Sequence, residues 1–212
     1  MASAAARHIH QFPVNDRYHC DNLKPMDRDR KILDTAADAF YEKGFHGVGV
    51  DELGRRAGLS GPALYRSFSG KDEILATLLN EAMDELMSAA LPALGNPTLD
   101  LDRALRHHIL FSIHHRPLVN LYQREVRSLV DPWKRSFTRR RQQYTERWEA
   151  LMAGRFPGIG AAAVATTAQA TLGTIFSISY WPHHTAHAPD VAEQLMALLT
   201  RGFSALEPAS KP

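Results

Sequence analysis

Catalytic chemistry needs a nucleophile, a paired acid and base, a metal set or a phosphate cradle, and this sequence assembles none of them. There is no serine elbow, no glycine-rich phosphate loop, no His-Glu-x-x-His and only one cysteine, Cys20. Histidines do cluster, as His8, His10 and His19 beside Cys20, as His114-His115, and as His183-His184 with His187. The first group fits no metal-ligand spacing, and adjacent histidines on a helix point to different sides without an acidic partner one turn away. No enzyme, metal site or cofactor is expected. The residues that could do specific chemistry lie elsewhere, in Val50 to Phe68, VDELGRRAGLSGPALYRSF. Arg66 there carries a planar fork of donors able to grip a guanine edge, or a phosphate, with two hydrogen bonds.

An arginine can read a base only if something rigid presents it. The spacing around it predicts a helix-turn-helix: Gly54 where two helices cross, Gly58 in the turn, and Leu64 packing back from the second helix, with Leu53, Ala57 and Leu59 completing a small core. Ser60 stands as N-cap of the second helix and Pro62 lies in its first turn. The helices are expected at about 50–57 and 61–67. Gly61, Pro62, Ala63 and Arg66 fall on the edge that would face DNA, and the small residues at 61–63 favour close approach to thymine methyl groups.

The elements around this unit read as helices. Ile32, Leu33, Ala36, Ala37, Phe40 and Tyr41 share one face until Gly44, and Ile74, Leu75, Leu78, Leu79, Ala82, Met83 and Leu86 share another until Pro92. Further helices are predicted from Pro97 to about His115 with Thr98 as cap, from Leu118 to Leu129, from Asp131-Pro132 to about Ala153 with Asp131 as cap, and over about 160–180 and 190–206. No alternating strand pattern or hairpin signal occurs. The expectation is an all-α protein of about nine helices.

Composition bounds the rest. The chain has 212 residues, 25 Lys+Arg against 23 Asp+Glu, and 44% hydrophobic residues, enough for a packed core. The near balance conceals asymmetry: residues 26–90 hold 8 basic and 12 acidic groups, residues 91–157 hold 12 and 6. A general basic patch therefore does not identify a DNA binder here. The N-terminus lacks the apolar run of a secretory signal, and the single cysteine precludes an internal disulfide, so a cytoplasmic location is expected. No charged residue falls between Arg155 and His183, but this stretch is rich in Ala, Thr, Ser and Gly rather than Leu and Ile. It reads as a buried helix with small residues at Ala161, Ala165, Gly173 and Ser177 that admit a close neighbour, not as a membrane span.

From Asp29 to Leu79 the chain resembles the TetR family of transcriptional regulators. The resemblance is carried by IL-x-x-A near Ile32, F-x-x-x-G-F from Phe40 to Phe45, A-G-L-S at 57–60, A-L-Y-R-S-F at 63–68 and K-D-E-I-L at 71–75. It implies that Tyr65 and Lys71 contact phosphates, the latter in the first turn of the fourth helix where exposed amides also attract an anion. Three positions depart from the family pattern: Gly49 and Gly70 replace the usual capping side chains, and Ser67 shortens one contact. Gly49 retains an amide that can bond a phosphate.

The same resemblance implies a small-molecule pocket and a homodimer interface in the later helices. Residues 1–25 are expected as a flexible tail, 26–87 as the DNA-binding domain and 88–208 as the ligand-binding and dimerisation domain. Trp133, Phe137, Tyr144, Trp148 and Met152 form an apolar stripe that also serves a core. Candidate ligand contacts are Arg103, His107, Phe111, Tyr122, Arg127, Phe137, Tyr144, Trp148 and Phe176. Basic residues flank the apolar faces, namely Arg103, Arg106, His107, Arg124, Arg127, Arg139, Arg140 and Arg141, and two of them in the pocket would select an anionic amphiphile such as a fatty acid or acyl-CoA. Candidate dimer contacts are Ala165, Gly173, Leu195, Leu199 and Phe203. The resulting expectation is a repressor released from a palindromic operator by such an effector; an activator, or a sensor of hydrophobic cations, is the alternative.

Overall fold

The computed structural model describes residues 28–91 and 94–206. The expected tail at 1–25, with His8, His10, His19 and Cys20, lies outside the described residues. Among the described residues there are ten α-helices, two short 3-10 turns and no strand.

Four helices build the N-terminal part. α1 (Arg28–Lys43) buries Ile32, Leu33, Ala36, Ala37, Ala39 and Phe40 along one face. It ends where Gly44 takes φ 76°, a conformation that side chains with a Cβ resist. α2 (Val50–Ala57) and α3 (Gly61–Tyr65) are short; α2 packs against α1, and α3 against α2. α4 (Lys71–Ala89) buries Ile74, Leu75, Leu78 and Leu79 against the same core and runs on unbroken into the second half. The boundary expected after residue 87 therefore falls inside α4. One helix belongs to both parts.

The C-terminal part is a bundle of α5 (Pro97–His114), α6 (Arg116–Glu125), α7 (Trp133–Arg155), α8 (Ala161–Ser177), α9 (His183–Ala186) and α10 (Val191–Ser204). Trp148 and Met152 on α7 are completely enclosed, packed among Leu105, Ile109, Ala168 and Ile175 in one continuous core. Several local expectations are corrected. Asn96, not Thr98, caps α5: its side chain accepts from the amides of Thr98 and Leu99 at 3.0 and 3.2 Å. The Asp131–Pro132 peptide is cis, Pro132 holds the cap position, and α7 begins at Trp133. The short α9 occupies what reads as turn material.

α8 departs most from expectation. Ala161–Tyr180 is long and apolar enough to cross a membrane by length and composition, with a mean hydropathy of 1.3. It does not behave as a buried helix: Val164, Ala168, Thr171, Leu172 and Ile175 face α7 and the core, while Ala162, Thr166, Gln169, Ala170 and Gly173 are exposed.

Candidate functional site

The crossing of α2 and α3 is set by contact distances. A Cβ on Gly54 would lie 3.2 Å from the Leu59 carbonyl and 4.0 Å from Leu64, so the helices meet where only a hydrogen fits comfortably. Gly58 turns the chain at φ 67°, and the Leu59 amide donates back to the Gly54 carbonyl at 2.8 Å. Leu53, Ala57 and Leu64 are buried beneath the turn. Ser60 occupies the N-cap of α3 but its hydroxyl caps no amide.

This packing decides what α3 presents. Pro62, Tyr65 and Arg66 are exposed, Gly61 is half-buried, and Tyr65 leaves 55% of its surface open, so it is not a core aromatic. Ala63 is buried and does not lie on the outer edge. At about 100° per residue, 61, 62, 65 and 66 share one side of a helix, and 63 and 64 fall on the other. Ser67 accepts a hydrogen bond from Arg28 Nε at 3.1 Å, tying the first turn of α1 to the end of α3. Arg28, exposed Lys31, whose Nζ lies 3.5 Å from where a Gly58 Cβ would sit, and exposed Arg55 fringe this edge with positive charge. Sequence spacing does not single them out, because they come from different helices. Gly49, exposed at the start of α2, would meet nothing within 4 Å if it carried a Cβ, so there is room around its backbone.

Lys71 is placed otherwise than its expected phosphate role implies. Its Nζ donates to the carbonyls of Phe45 and Val48, both at 3.0 Å, and sits 4.5 Å from the centre of the Phe45 ring. The α1–α2 loop is thus held from the N-terminus of α4. It is held from α6 as well. Glu125, buried at the end of that helix, accepts from the Phe45 amide at 3.3 Å and from the Ser128 hydroxyl at 3.0 Å, and His46 Nε2 lies 3.2 Å from that hydroxyl.

α4 and α6 also wall a cavity of about 560 Å³ with α5, α7 and α8. Leu79, Met83, Leu86, Leu118, Val119 and Leu172 give it an apolar body, and exposed Thr138, Arg141, Gln142, Gln169 and Gly173 mark its mouth. Of the residues expected to contact a ligand, Phe111, Tyr122, Phe137, Tyr144 and Phe176 line it. Trp148 is fully enclosed behind that wall. Arg103 bonds the Leu91 carbonyl, His107 lies 4.0 Å from Glu85, and Arg127 is exposed; none of the three borders the cavity. Arg141 is the basic group in the lining, which holds no carboxylate. Burial pushes the Tyr122 hydroxyl up, and the neighbouring Arg141 guanidinium opposes that rise.

The residues expected at a dimer contact separate into two sets. Gly173 is exposed and Ala165 half-buried, but Leu195, Leu199 and Phe203 pack inward, the last with its ring 6.0 Å from that of Phe156. The outer side of α10 is made of Gln194, Ala197, Leu198, Arg201 and Gly202, with Leu198 63% exposed.

A helix-turn-helix sharing one continuous helix with a cavity-bearing bundle is the architecture of a DNA-binding regulator with room for a small molecule in its second part. The family model of bacterial regulatory proteins, tetR family, matches residues 32–78, and that of the tetracyclin repressor-like C-terminal domain matches residues 95–203. The chain belongs to the TetR family of transcriptional regulators, which is ligand-responsive. It is 33% identical over 98 residues to the transcriptional activator FasR of Mycolicibacterium smegmatis, covering 46% of this chain and 45% of FasR, so the match spans less than half of that relative. Among solved structures, AibR in complex with isovaleryl coenzyme A and operator DNA superposes with a TM-score of 0.70 at 22% identity, covering 82% of this chain and 97% of AibR. The ketosteroid regulator KstR2 of Mycobacterium tuberculosis gives 0.72 at 22%, covering 84% and 96%. At that identity the likeness concerns the fold.

Proposed function

We propose that this protein is a homodimeric repressor that leaves a palindromic operator when an anionic amphiphile, a fatty acid or an acyl-CoA, fills the cavity. The observation that carries this reading is that α4 and α6 wall the cavity and also grip the α1–α2 loop, through Lys71 and Glu125. A ligand wedged between them works on both handles of the DNA-binding unit at once. A ligand that binds better to one spacing of the two reading heads shifts the population toward it.

On DNA, α3 lies in the major groove with Gly61, Pro62 and Arg66 toward base edges and Tyr65 toward a phosphate, while the Gly49 amide and Arg28 add backbone contacts. Lys71 serves by shaping the loop before α2, and the first-turn amides of α4 remain for a phosphate. Ser67 positions Arg28. The repeating partner is a second copy, seated on the exposed small-residue face of α8 and on Leu198 of α10. Such a protein works where its DNA is, in the cytoplasm, and needs no cofactor.

The choice of an anion rests on Arg141 at the mouth and on a lining without carboxylates; a single basic group lines the cavity, where the sequence allows for two. That AibR binds isovaleryl coenzyme A supports the same class. A hydrophobic cation would meet Arg141 with no counter-charge. A thermal-shift screen of fatty acids, acyl-CoAs and hydrophobic cations tests this directly. Saturating ligand at about a hundred times its Kd adds roughly 2.7 kcal/mol of stability. Stabilisation by cations alone overturns the assignment. The sign of regulation is read by a promoter reporter: loss of the protein raises expression from its operator if it represses, and a fall instead assigns the activator role that FasR is named for.

A further inference from the structure

One layer behind the cavity wall lies a group of polar atoms without partners. His108 on α5 is 1% exposed, and its Nδ1 lies 2.9 Å from the Tyr144 hydroxyl. Burial holds its pKa down at about 3, so the ring is neutral at working pH. A neutral imidazole carries one N–H. With the Tyr144 hydroxyl donating to Nδ1, the hydrogen sits on Nε2, and Nε2 has no hydrogen-bond partner. The indole N–H of Trp148 has none either, nor has the hydroxyl of Ser112, one turn along α5, and both residues are wholly buried. Burial raises the pKa of the Tyr144 hydroxyl, and the Trp148 indole opposes that rise from nearby, without reaching hydrogen-bond geometry. Buried donors are ordinarily satisfied, and leaving several together unpaired costs folding free energy.

These atoms adjoin the cavity. The His108 ring packs edge-on against Tyr144 and Phe176, with centroids 5.8 and 5.1 Å apart, and both of those residues line the space. Trp148 packs edge-on against Tyr144 at 6.3 Å. Ser112 follows Phe111, another lining residue. Phe176, only partly buried, stands between the cavity and His108, so an effector oxygen reaches these donors by displacing that ring. The bases here, His108 and the neighbouring His107, are both disfavoured in their charged forms by burial, so a charged group there would be uncompensated, whereas a neutral oxygen would be welcome.

We infer that the inner end of the cavity is a subsite for an uncharged hydrogen-bond acceptor, a ketone, ester or amide oxygen on the effector's tail, taken by the His108 and Trp148 N–H groups with Ser112 beside them. This rests on the effector reading above and adds a second point of recognition to it: the anionic head stays at Arg141, and the oxygen sits two turns further along α7, about 10 Å away. The effector is thereby an oxygenated acyl group of medium length rather than a plain alkyl chain.

The test compares decanoate with the same acid carrying a ketone at its penultimate carbon, by calorimetry on the full-length protein. The wild type is expected to bind the keto acid at least about tenfold tighter, since a site built to bond an oxygen rejects the analogue lacking it. In His108→Leu, and separately in Trp148→Phe, the ratio of the two affinities falls to about one. His108→Leu also removes the acceptor of the Tyr144 hydroxyl, so a melting curve checks that the variant keeps its fold, and Trp148→Phe, which breaks no hydrogen bond, tests the subsite independently. The indole N–H resonance of Trp148 shifts with the keto acid and not with decanoate. Equal affinities in the wild type, whether the donors stay unpaired or bond a water, overturn the subsite and leave the effector cavity standing. Binding of neither acid overturns both. A preference that survives both substitutions shows the oxygen is recognised elsewhere and overturns the assignment.

Discussion

Gly58 and His108 show how single residues set the terms on which this protein folds. Gly58 holds φ 67°, and its left-handed turn fixes the angle between α2 and α3. Gly58→Val is expected to cost about 1–2 kcal/mol in urea unfolding and to weaken DNA binding by misaligning α3. His108 acts through protons. Its pKa is about 3 folded against an ordinary 6.5, so as pH falls below 6.5 the unfolded chain takes up a proton that the folded chain refuses, and stability drops toward pH 3. Burial lowers His107 and His115 as well, and they act in the same sense. Melting temperatures of His108→Leu should therefore decline less between pH 6.5 and 4 than those of the wild type. An equal decline would place the acid sensitivity elsewhere. Gly54, Gly58 and Leu64 are legible in the sequence because their spacing is a steric requirement. The burial of Ala63 is harder to see, although the helical angle that turns it inward is implicit in that same spacing. The placement of Lys71 is not legible at all, since the carbonyls that take its ammonium belong to a loop folded across it.

At the scale of elements, the α1–α2 loop is gripped by α4 and α6, and the proposed function makes it the joint between sensing and binding. Glu125→Ala leaves the Phe45 amide without its buried acceptor and is expected to cost about 1–3 kcal/mol. It should also blunt the effect of effector on operator affinity more than it weakens effector binding itself. Fluorescence anisotropy with and without effector separates the two, and full coupling in the variant would contradict the joint. Helix existence follows from apolar periodicity, except for the four-residue α9, whose sequence His-His-Thr-Ala carries none. Ends do not: Asn96 outcompetes Thr98 as cap because its side chain serves two amides at once. The aromatic stripe of α7 serves both of its readings, with Phe137 and Tyr144 lining the cavity and Trp148 and Met152 making core. Arg103 and His107 miss the cavity because side-chain direction, unlike periodicity, depends on which neighbour offers a carbonyl or carboxylate, here Leu91 and Glu85; Arg127 is exposed.

For the whole molecule, the unburied face of α8 and the outer side of α10 ask for a partner. Leu195, Leu199 and Phe203 carry an apolar period that suggests an interface, yet a helix at the edge of a bundle must first satisfy its own core, and they do so. The exposed Leu198 remains. Leu198→Glu is expected to weaken self-association by on the order of 2 kcal/mol, read by analytical ultracentrifugation, with a matching loss of operator affinity because half-sites are then bound singly. A dimer undisturbed by that change would move the interface elsewhere.

All of these roles depend on α3 meeting duplex DNA along Gly61, Pro62, Tyr65 and Arg66. Anisotropy titrations at low ionic strength, using the protein's own promoter and duplexes substituted one base pair at a time, measure this most directly. The expected result is saturable binding that weakens with salt, with Arg66→Ala losing about 1–3 kcal/mol of discrimination at one position in each half-site. Absence of affinity for any duplex, or a loss on Arg66→Ala that is uniform across all sequences, would contradict the placement of that edge against the bases.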